Sequence, residues 1–374
     1  MRAHASTQRR VYLHVGAPKT GTTYLQERLF ANSPRLARHG VLVPMTPWWS
    51  GRGALHFRAA LDLLGQDWGG PPGHARGAWQ QLLEQVRRHD GAAVISHELL
   101  APAPPELVAR VMADLGDAEV HIVYTARDLA RLLPSAWQEA VKQGREMRFA
   151  RFLHRARDND VWFMQAFDLP AVLGTWSAGL PPERLHVVTV PRSGSDPTLL
   201  WRRFCAAIGV DPDWAPEEPE RRNESLGIPE TQVLRLLNRR LRGRTDHRHR
   251  HVVKNLIAQQ GLAQRRSAPV RLPPEQHDWV AERSGEWIAW ARDRGIDVVG
   301  DLEELRPVPP PPEEPWTDPD VFRPQDFREA ALDALAIAVT VAAERDDQDR
   351  LSGKLRRGRR RVGDLVSRRR AASG

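Results

Sequence analysis

The chain has 374 residues, 41% of them hydrophobic and 27% charged, with a formal net charge of +8. A chain of this length can bury a substantial core, which favours one large globular domain with appendages. No apolar run approaches the roughly 20 residues that span a bilayer, and no signal-like segment follows MRAHASTQRR. The single cysteine, Cys205, excludes a disulfide within one chain and lies in an apolar helical pattern, so we expect a core residue in a cytoplasmic protein.

Strand-like and helical runs alternate along the chain. Strands separated by helices imply βαβ units, so the expected fold is α/β with a parallel sheet flanked by helices. Strands are predicted at 11–15, 92–97, 119–125 and 185–190, with a weaker one near 41–43. Helices are predicted at 22–31, 75–89, 105–115, 134–143, 161–177, 197–208 and 229–241.

The first motif is VYLHVGAPKTGTTYLQ, residues 11–26, which predicts a strand, a turn from Gly16 to Gly21 and then a helix. Free N–H groups at the positive end of a helix suit an anion. The spacing is similar to the loop GxxxxGK of nucleoside-triphosphate-binding proteins, but Thr22 stands in place of its lysine, and Lys19 lies inside the loop instead. This difference points away from ATP and GTP. A solvated loop lysine is the alternative interpretation.

The second motif follows the predicted strand at 119–125. Arg127 comes just after the strand, and Pro134 is expected to be the first residue of a helix. Ser135 would then lie in the first helical turn, beside free N–H donors. A guanidinium, a hydroxyl and an open helix start together favour a doubly charged phosphate. The alternative is a surface pair of Arg127 with Asp128 and an ordinary helix serine.

The third motif is AAVISHELL, residues 92–100, whose apolar start predicts a buried strand. Its polar end brings Ser96, His97 and Glu98 to the carboxyl edge of the sheet, where open α/β folds bind ligands. Either His97 or Glu98 could accept a proton from a hydroxyl. In the alternative interpretation, Glu98 caps the following turn or pairs with an arginine.

Two of these stretches resemble sulfotransferases that use 3′-phosphoadenosine 5′-phosphosulfate, PAPS. APKTGTTYLQ resembles the family's PKxGTT loop, and residues 120–144 look like its second signature. The resemblance implies a P-loop NTPase-like sulfotransferase fold of the bacterial type and a Ser-x-Glu step, here Ser96 and Glu98. It makes Glu98 the preferred base, with His97 as the alternative. The loop would bind the 5′-phosphosulfate, with Lys19 assisting departure of the bridging oxygen, and the second signature would hold the 3′-phosphate. The implied donor-binding residues are Pro18, Lys19, Thr20, Gly21, Thr22, Thr23, Arg127 and Ser135.

The expected reaction is transfer of a sulfuryl group from PAPS to a hydroxyl of a carbohydrate, glycolipid or other small-molecule acceptor. No metal is expected to be required. A P-loop kinase or NTPase and a non-catalytic nucleotide-binding protein are the alternatives. The aromatic, glycine-rich insertion 48–73 would line the acceptor entrance or pack over the sheet. His247, His249 and His251 alternate in a basic segment, but without a fourth ligand they are a weak metal candidate.

The composition of the two ends of the chain predicts appendages to one domain at 10–306. An N-terminal tail is expected at 1–9, a proline-rich linker at 307–324, a helix at 325–350 and a basic tail at 351–374. The helix could dock on the core or on a second subunit. The tail holds nine lysines and arginines against one acid, so the body is nearly neutral and nucleic acid is not expected. The tail is either solvated or in contact with anionic lipid.

Overall fold

The chain forms two compact units in the computed structural model. The first comprises 1–140, 147–223 and 270–320, and the second comprises 141–146, 224–269 and 321–374. The structure describes residues 9–46, 54–219, 225–242, 258, 261–265, 267–309 and 315–343.

A six-stranded sheet organises the first unit, and every pairing in it is parallel. The spatial order is β2-β3-β1-β4-β5-β6, so the α/β fold class predicted from the sequence is confirmed. The sequence missed β6, because a run of three residues is too short to show a pattern. The strands are β1 Arg10–Gly16, β2 Val41–Leu42, β3 Ala92–Ser96, β4 Glu119–Ala126, β5 Leu185–Thr189 and β6 Asp297–Val299.

Helices cover both faces of the sheet. They are α1 Thr22–Ala31, α2 Ser33–Arg38, α3 Ala54–Leu63, α4 Ala78–Arg87, α5 Pro105–Leu115, α6 Leu129–Lys142, α7 Phe149–Arg157, α8 Trp162–Phe167, α9 Leu169–Trp176, α10 Leu199–Ala207, α11 Ile228–Arg240 and α12 His277–Asp293. A further helix, α13, covers 324–343. On one face, α1, α2 and α10 bury apolar side chains against β1, β3 and β5. From the opposite side, the Tyr124 hydroxyl of β4 donates to the carbonyls of Ala166 and Phe167 at 2.9 and 3.0 Å.

Cys205 lies in the apolar core of the first unit. It is fully buried in α10, and burial raises the pKa of its thiol. A high thiol pKa disfavours the reactive thiolate, so the prediction of a core cysteine is confirmed.

Helix α6 begins five residues before the predicted start. Asp128 precedes it, and its Oδ1 accepts a hydrogen bond from the Arg131 N–H at 3.0 Å, as an N-cap does. Pro134 therefore lies inside the helix, and the prediction that it is the first helical residue is wrong. Asp168 divides the predicted helix 161–177 in the same way, because its carboxylate caps α9.

The second unit contains α11 and α13. Arg265 connects them: its Nε donates to Glu230 Oε1 of α11 at 2.7 Å, and its Nη atoms pair with Glu329 and Asp333 of α13. The predicted C-terminal helix is confirmed over the described part of the chain, to residue 343. Four further predictions fall outside the described residues: the N-terminal tail up to residue 8, the histidines at 247–251, the rest of the helix and the basic tail.

The described ranges contain no helix that is both long and apolar enough to cross a membrane. Within the same ranges, no three His, Cys, Asp or Glu side chains are grouped so that they could hold a metal ion.

Candidate active site

The three sequence motifs meet at one edge of the sheet. β1 lies between β3 and β4 and runs parallel to both, so all three strands end on the same side. The loop from Ala17 to Gly21 follows β1, His97 and Glu98 follow β3, and Arg127 follows β4. The expectation that these motifs share the carboxyl edge of a parallel sheet is therefore confirmed.

Hydrogen bonds to the end of β4 fix the start of the loop. The Ala17 N–H donates to the Thr125 carbonyl at 2.9 Å, and the Thr125 hydroxyl donates to the Gly16 carbonyl at 2.9 Å. The buried Thr20 hydroxyl donates to the Ala17 carbonyl at 2.5 Å. Glycine is favoured at position 16, because its φ is 136° and a Cβ there would lie 3.1 Å from the Cβ of Ala101. Hydrogen bonds within the protein therefore support the shape of the loop.

The end of the loop presents backbone N–H groups at the start of α1. Gly21 has φ 88°, and a Cβ on it would lie 2.5 Å from a methyl group of Leu200, so glycine is required there. Among the described residues, no carbonyl accepts a hydrogen bond from the N–H of Gly21, Thr22 or Thr23. The helix macrodipole adds partial positive charge at this point, so the loop suits an anion.

Lys19 lies within the loop in an unusual backbone conformation. Its φ is 65°, in the left-handed region that few residues other than glycine adopt. Its Nζ forms an ion pair with Glu139 Oε2 of α6 at 3.2 Å. No sequence pattern indicated this contact, although Glu139 lies four residues after Ser135 and therefore on the same helix face. The loop cation thus has a carboxylate partner before any ligand binds.

Arg127 brings a second cation to the loop. Its Nη1 donates to the Lys19 carbonyl at 3.2 Å, whereas its Nε is buried and has no hydrogen-bond partner among the described residues. Burial and, to a smaller extent, the nearby charge of Arg131 lower the pKa of Arg127 to about 10, although Asp128 opposes the change. The guanidinium is still charged at neutral pH. Asp128 pairs with Arg131, not with Arg127 as in the alternative interpretation.

Ser135 lies on the face of α6 that carries Glu139, but not at an open helix start. It is the seventh residue of the helix, so the predicted free N–H donors beside it are absent from this position. The expectation of a helix-terminus phosphate site at Ser135 is therefore wrong. Its half-buried hydroxyl is the group that Ser135 can offer to an anion.

Glu98 is held by α1. The Gln26 Nε2 donates to Glu98 Oε2 at 3.0 Å and also reaches the Ser96 hydroxyl at 3.2 Å. Burial raises the pKa of Glu98, but the opposing effects of His97, a backbone hydrogen bond and Gln26 outweigh burial and lower it overall. Glu98 is therefore a carboxylate at neutral pH. His97 caps the turn instead, and no arginine of the described residues pairs with Glu98, so neither of the two alternatives that the sequence left open is seen in that part of the chain.

His97 occupies the capping position that was considered for Glu98. Its Nδ1 accepts a hydrogen bond from the Leu99 N–H at 3.2 Å. Burial lowers the pKa of His97, so the ring is neutral at pH 7 and carries its proton on Nε2. In this tautomer Nε2 can donate a hydrogen bond but cannot accept a proton.

A buried network supports the end of β3. The Ser96 hydroxyl lies 2.7 Å from His14 Nδ1, and the Ser96 N–H donates to His56 Nδ1 at 3.0 Å. His56 Nε2 in turn donates to the Pro44 carbonyl at 2.8 Å. The sequence analysis did not identify His14 or His56 as site residues. The available signal for His14 was its position as a histidine within the apolar pattern of β1. The network links the strand below the loop to the strand below Glu98.

No protein-family model matches the chain, and no curated protein does either. Among solved structures, the chain is similar to the crystal structure of a sulfotransferase from Alicyclobacillus acidocaldarius, with 16% sequence identity and a TM-score of 0.44. The similarity covers 76% of this chain and 96% of that one. At this identity and score, the similarity carries no functional argument, so function has to be inferred from the residues of the site.

We expect stability to fall on mild acidification because of the histidine network. Burial lowers the pKa of His14 and of His56 from 6.5 to about 4. The unfolded chain therefore binds more protons, and stability present above pH 6.5 is lost as the pH falls towards 4. At the acid end of this range, each histidine would lower the free energy of unfolding by about 3 kcal/mol. Urea unfolding of wild type and His56→Asn between pH 7 and 4 measures this.

The asparagine variant keeps a polar group near the position of Nδ1 but does not titrate, so its stability should depend less on pH. His154→Asn is the matched control, since the His154 side chain is 80% exposed. Equal pH dependence in wild type and His56→Asn would contradict the assignment of a neutral buried ring.

Proposed function

We propose that this protein is a PAPS-dependent sulfotransferase that moves a sulfuryl group to a hydroxyl of a small-molecule acceptor. The observation that carries the proposal is the half-buried guanidinium of Arg127, of which the Nε atom is fully buried. Its Nε has no partner in the described chain, and it lies against a loop of free N–H groups that also contains Lys19. Buried charges are normally paired, so this arrangement favours an anionic ligand.

PAPS has two anionic groups that suit the two parts of the site. The loop, from Pro18 to Thr23, would hold the 5′-phosphosulfate through its N–H groups and Lys19. Arg127, together with the hydroxyl of Ser135, would hold the 3′-phosphate, the group that distinguishes PAPS from ATP. Because the guanidinium is planar and carries several donors, it can bind two phosphate oxygens at once.

Glu98 is the proposed base. The acceptor oxygen attacks sulfur, a new sulfur–oxygen bond forms, and the bond from sulfur to the bridging oxygen breaks. The acceptor proton passes to the Glu98 carboxylate, and adenosine 3′,5′-bisphosphate leaves. The Gln26 amide orients the carboxylate for this step. His97 is the weaker candidate, because its Nδ1 is already engaged in capping Leu99.

The acceptor would approach over an aromatic surface next to Glu98. Phe57 of α3 packs against His97 at 5.4 Å between ring centroids and against Trp68 at 5.2 Å. The Trp68 side chain is 45% exposed, so the aromatic path runs from the surface to the residue beside the base. Aromatic side chains favour a sugar or lipid acceptor. A kinase, an NTPase and a non-catalytic nucleotide-binding protein remain the alternative functions.

Titration calorimetry distinguishes PAPS chemistry from its rivals. We expect adenosine 3′,5′-bisphosphate to bind in the presence of EDTA, and ATP or GTP to bind much more weakly even with magnesium. Preferential binding of ATP with magnesium would instead favour a kinase or NTPase. Binding of the bisphosphate without release of labelled sulfate to any acceptor in a cell extract would favour the non-catalytic alternative.

Lys19→Ala should lower the rate of sulfuryl transfer by about a hundred- to a thousandfold, because removing one preorganised donor costs roughly 3 to 4 kcal/mol. The measurement is turnover of labelled PAPS with saturating acceptor. Arg88→Ala is the charge-matched control, since that side chain directly follows α4 and is 81% exposed. A near-normal rate for Lys19→Ala would remove the lysine from the mechanism.

Glu139→Gln should bind adenosine 3′,5′-bisphosphate more tightly. Glu139 competes with the ligand for Lys19 and repels its negative charge, an effect of about 1 kcal/mol for a partly exposed pair, or several-fold in Kd. Calorimetry of this variant beside Glu84→Gln, an exposed carboxylate of α4, tests the effect. Weaker binding would instead make Glu139 a residue that positions Lys19 for the ligand.

Trp68→Ala should raise KM for the acceptor several-fold with little change in kcat, because the ring would contribute binding area away from the reacting atoms. Trp162→Ala, which removes another partly exposed tryptophan, is the control. Steady-state kinetics at fixed PAPS separate the two parameters. An unchanged KM for Trp68→Ala would rule out this acceptor path.

A further inference from the structure

Helix α13 carries large apolar side chains on its exposed face. Leu332, Leu335 and Val339 are 65, 59 and 60% exposed. They follow one another at intervals of three and four residues and so form one stripe along the helix. Ala336, Ala342 and Ala343 lie on the same exposed side. An exposed helix face normally holds charged and polar residues, so this stripe, Leu332 to Ala343, marks an interaction surface.

The second unit fixes the direction in which the stripe points. Ala330 and Ala334, on the opposite face of α13, are buried. Arg265 holds the helix through Glu329 and Asp333, and it is itself bound to the fully buried Glu230. The acids near the stripe are therefore engaged by a cation. Rotating the helix to bury the leucines would break these ion pairs.

The charge that follows the helix in sequence indicates the partner. Residues 344–350 hold four acids and two arginines, and residues 351–374 hold nine lysines and arginines against one aspartate. Arg328, one turn before Leu332, adds a cation on the side of the stripe. Stable attachment to a membrane commonly takes two signals, such as an apolar element and a polybasic segment. Both signals occur here within about fifty residues.

A second copy of the chain fits the stripe less well. A stable protein–protein interface takes about 800 Å² and 20 to 30 residues from each partner, far more than six small or medium side chains on three helical turns. Two strongly basic tails would also repel each other. Charge and size therefore favour an anionic surface over self-association.

We propose that α13 and the basic tail together attach the protein to anionic membranes, with the stripe from Leu332 to Ala343 lying in the headgroup region. The contact uses no residue of the proposed donor site. It gives the exposed leucines an apolar environment and the tail a negatively charged one. Neither signal alone would suffice.

Vesicle sedimentation of the full-length protein tests the proposal. Wild type should bind vesicles of phosphatidylcholine mixed with phosphatidylglycerol, bind pure phosphatidylcholine weakly, and dissociate as salt is raised. The triple variant Leu332→Gln, Leu335→Gln, Val339→Gln should lower the partition coefficient at least tenfold, and so should truncation after residue 351. The control is Val308→Gln with Val321→Gln, which alters two exposed valines outside the helix.

Two results would overturn the proposal: a triple variant that binds vesicles as well as wild type, or a wild type that dimerises in lipid-free buffer while the triple variant is monomeric.

A fluorescent label distinguishes loss of membrane contact from loss of folding. Cys205 is fully buried, so Leu335→Cys can be labelled selectively with an environment-sensitive dye. Its emission should shift to the blue on anionic vesicles, whereas the same dye on Arg88→Cys should not respond. No shift at residue 335 would also refute the contact.

Discussion

The parallel pairing of β1 with β3 on one side and β4 on the other is the constraint on which the site depends. It brings the ends of three strands, distant in sequence, to one edge. Each strand end then supplies a different chemical group: free amides and an ammonium after β1, a carboxylate after β3 and a guanidinium after β4. A slip of any strand by one residue would turn its side chains to the other face and separate these groups.

The buried polar network below this edge keeps the pairing rigid. His14 and Ser96 bridge β1 and β3 through side chains, and Thr125 bonds the loop to β4. Each donor or acceptor in this network has its partner inside the protein, so breaking one contact would leave another group unsatisfied. The residues above the network are thus attached to a part of the sheet that is held by buried hydrogen bonds.

Much of this arrangement could be predicted from sequence because buried parallel strands appear as continuous apolar runs and their ends as abrupt changes to polar residues. The loop after β1, the turn after β3 and Arg127 after β4 were all found in this way. Glu139 and Gln26 were not, since their contacts depend on how α6 and α1 are placed against the edge. No local pattern encodes that placement.

The start of α6 shows how packing decides between two local signals. Asp128 is a good N-cap and Pro134 a good first residue, so the sequence alone is compatible with either start. The five residues before Pro134 include Leu129, Leu132 and Leu133, all of which are buried in the structure. Burying these side chains in a helix outweighs the lost hydrogen bond at the proline.

That choice leaves α6 with a built-in weak point. Pro134 has no N–H, so the carbonyl of Ala130 lacks its partner four residues on, and the ring crowds the preceding turn. The segment before the proline is anchored by the pair of Asp128 with Arg131, while the segment after it carries Ser135 and Glu139 on one face. Any bending at this joint would move the Ser135 hydroxyl and the Glu139 carboxylate together, and so would change the distance between Glu139 and Lys19.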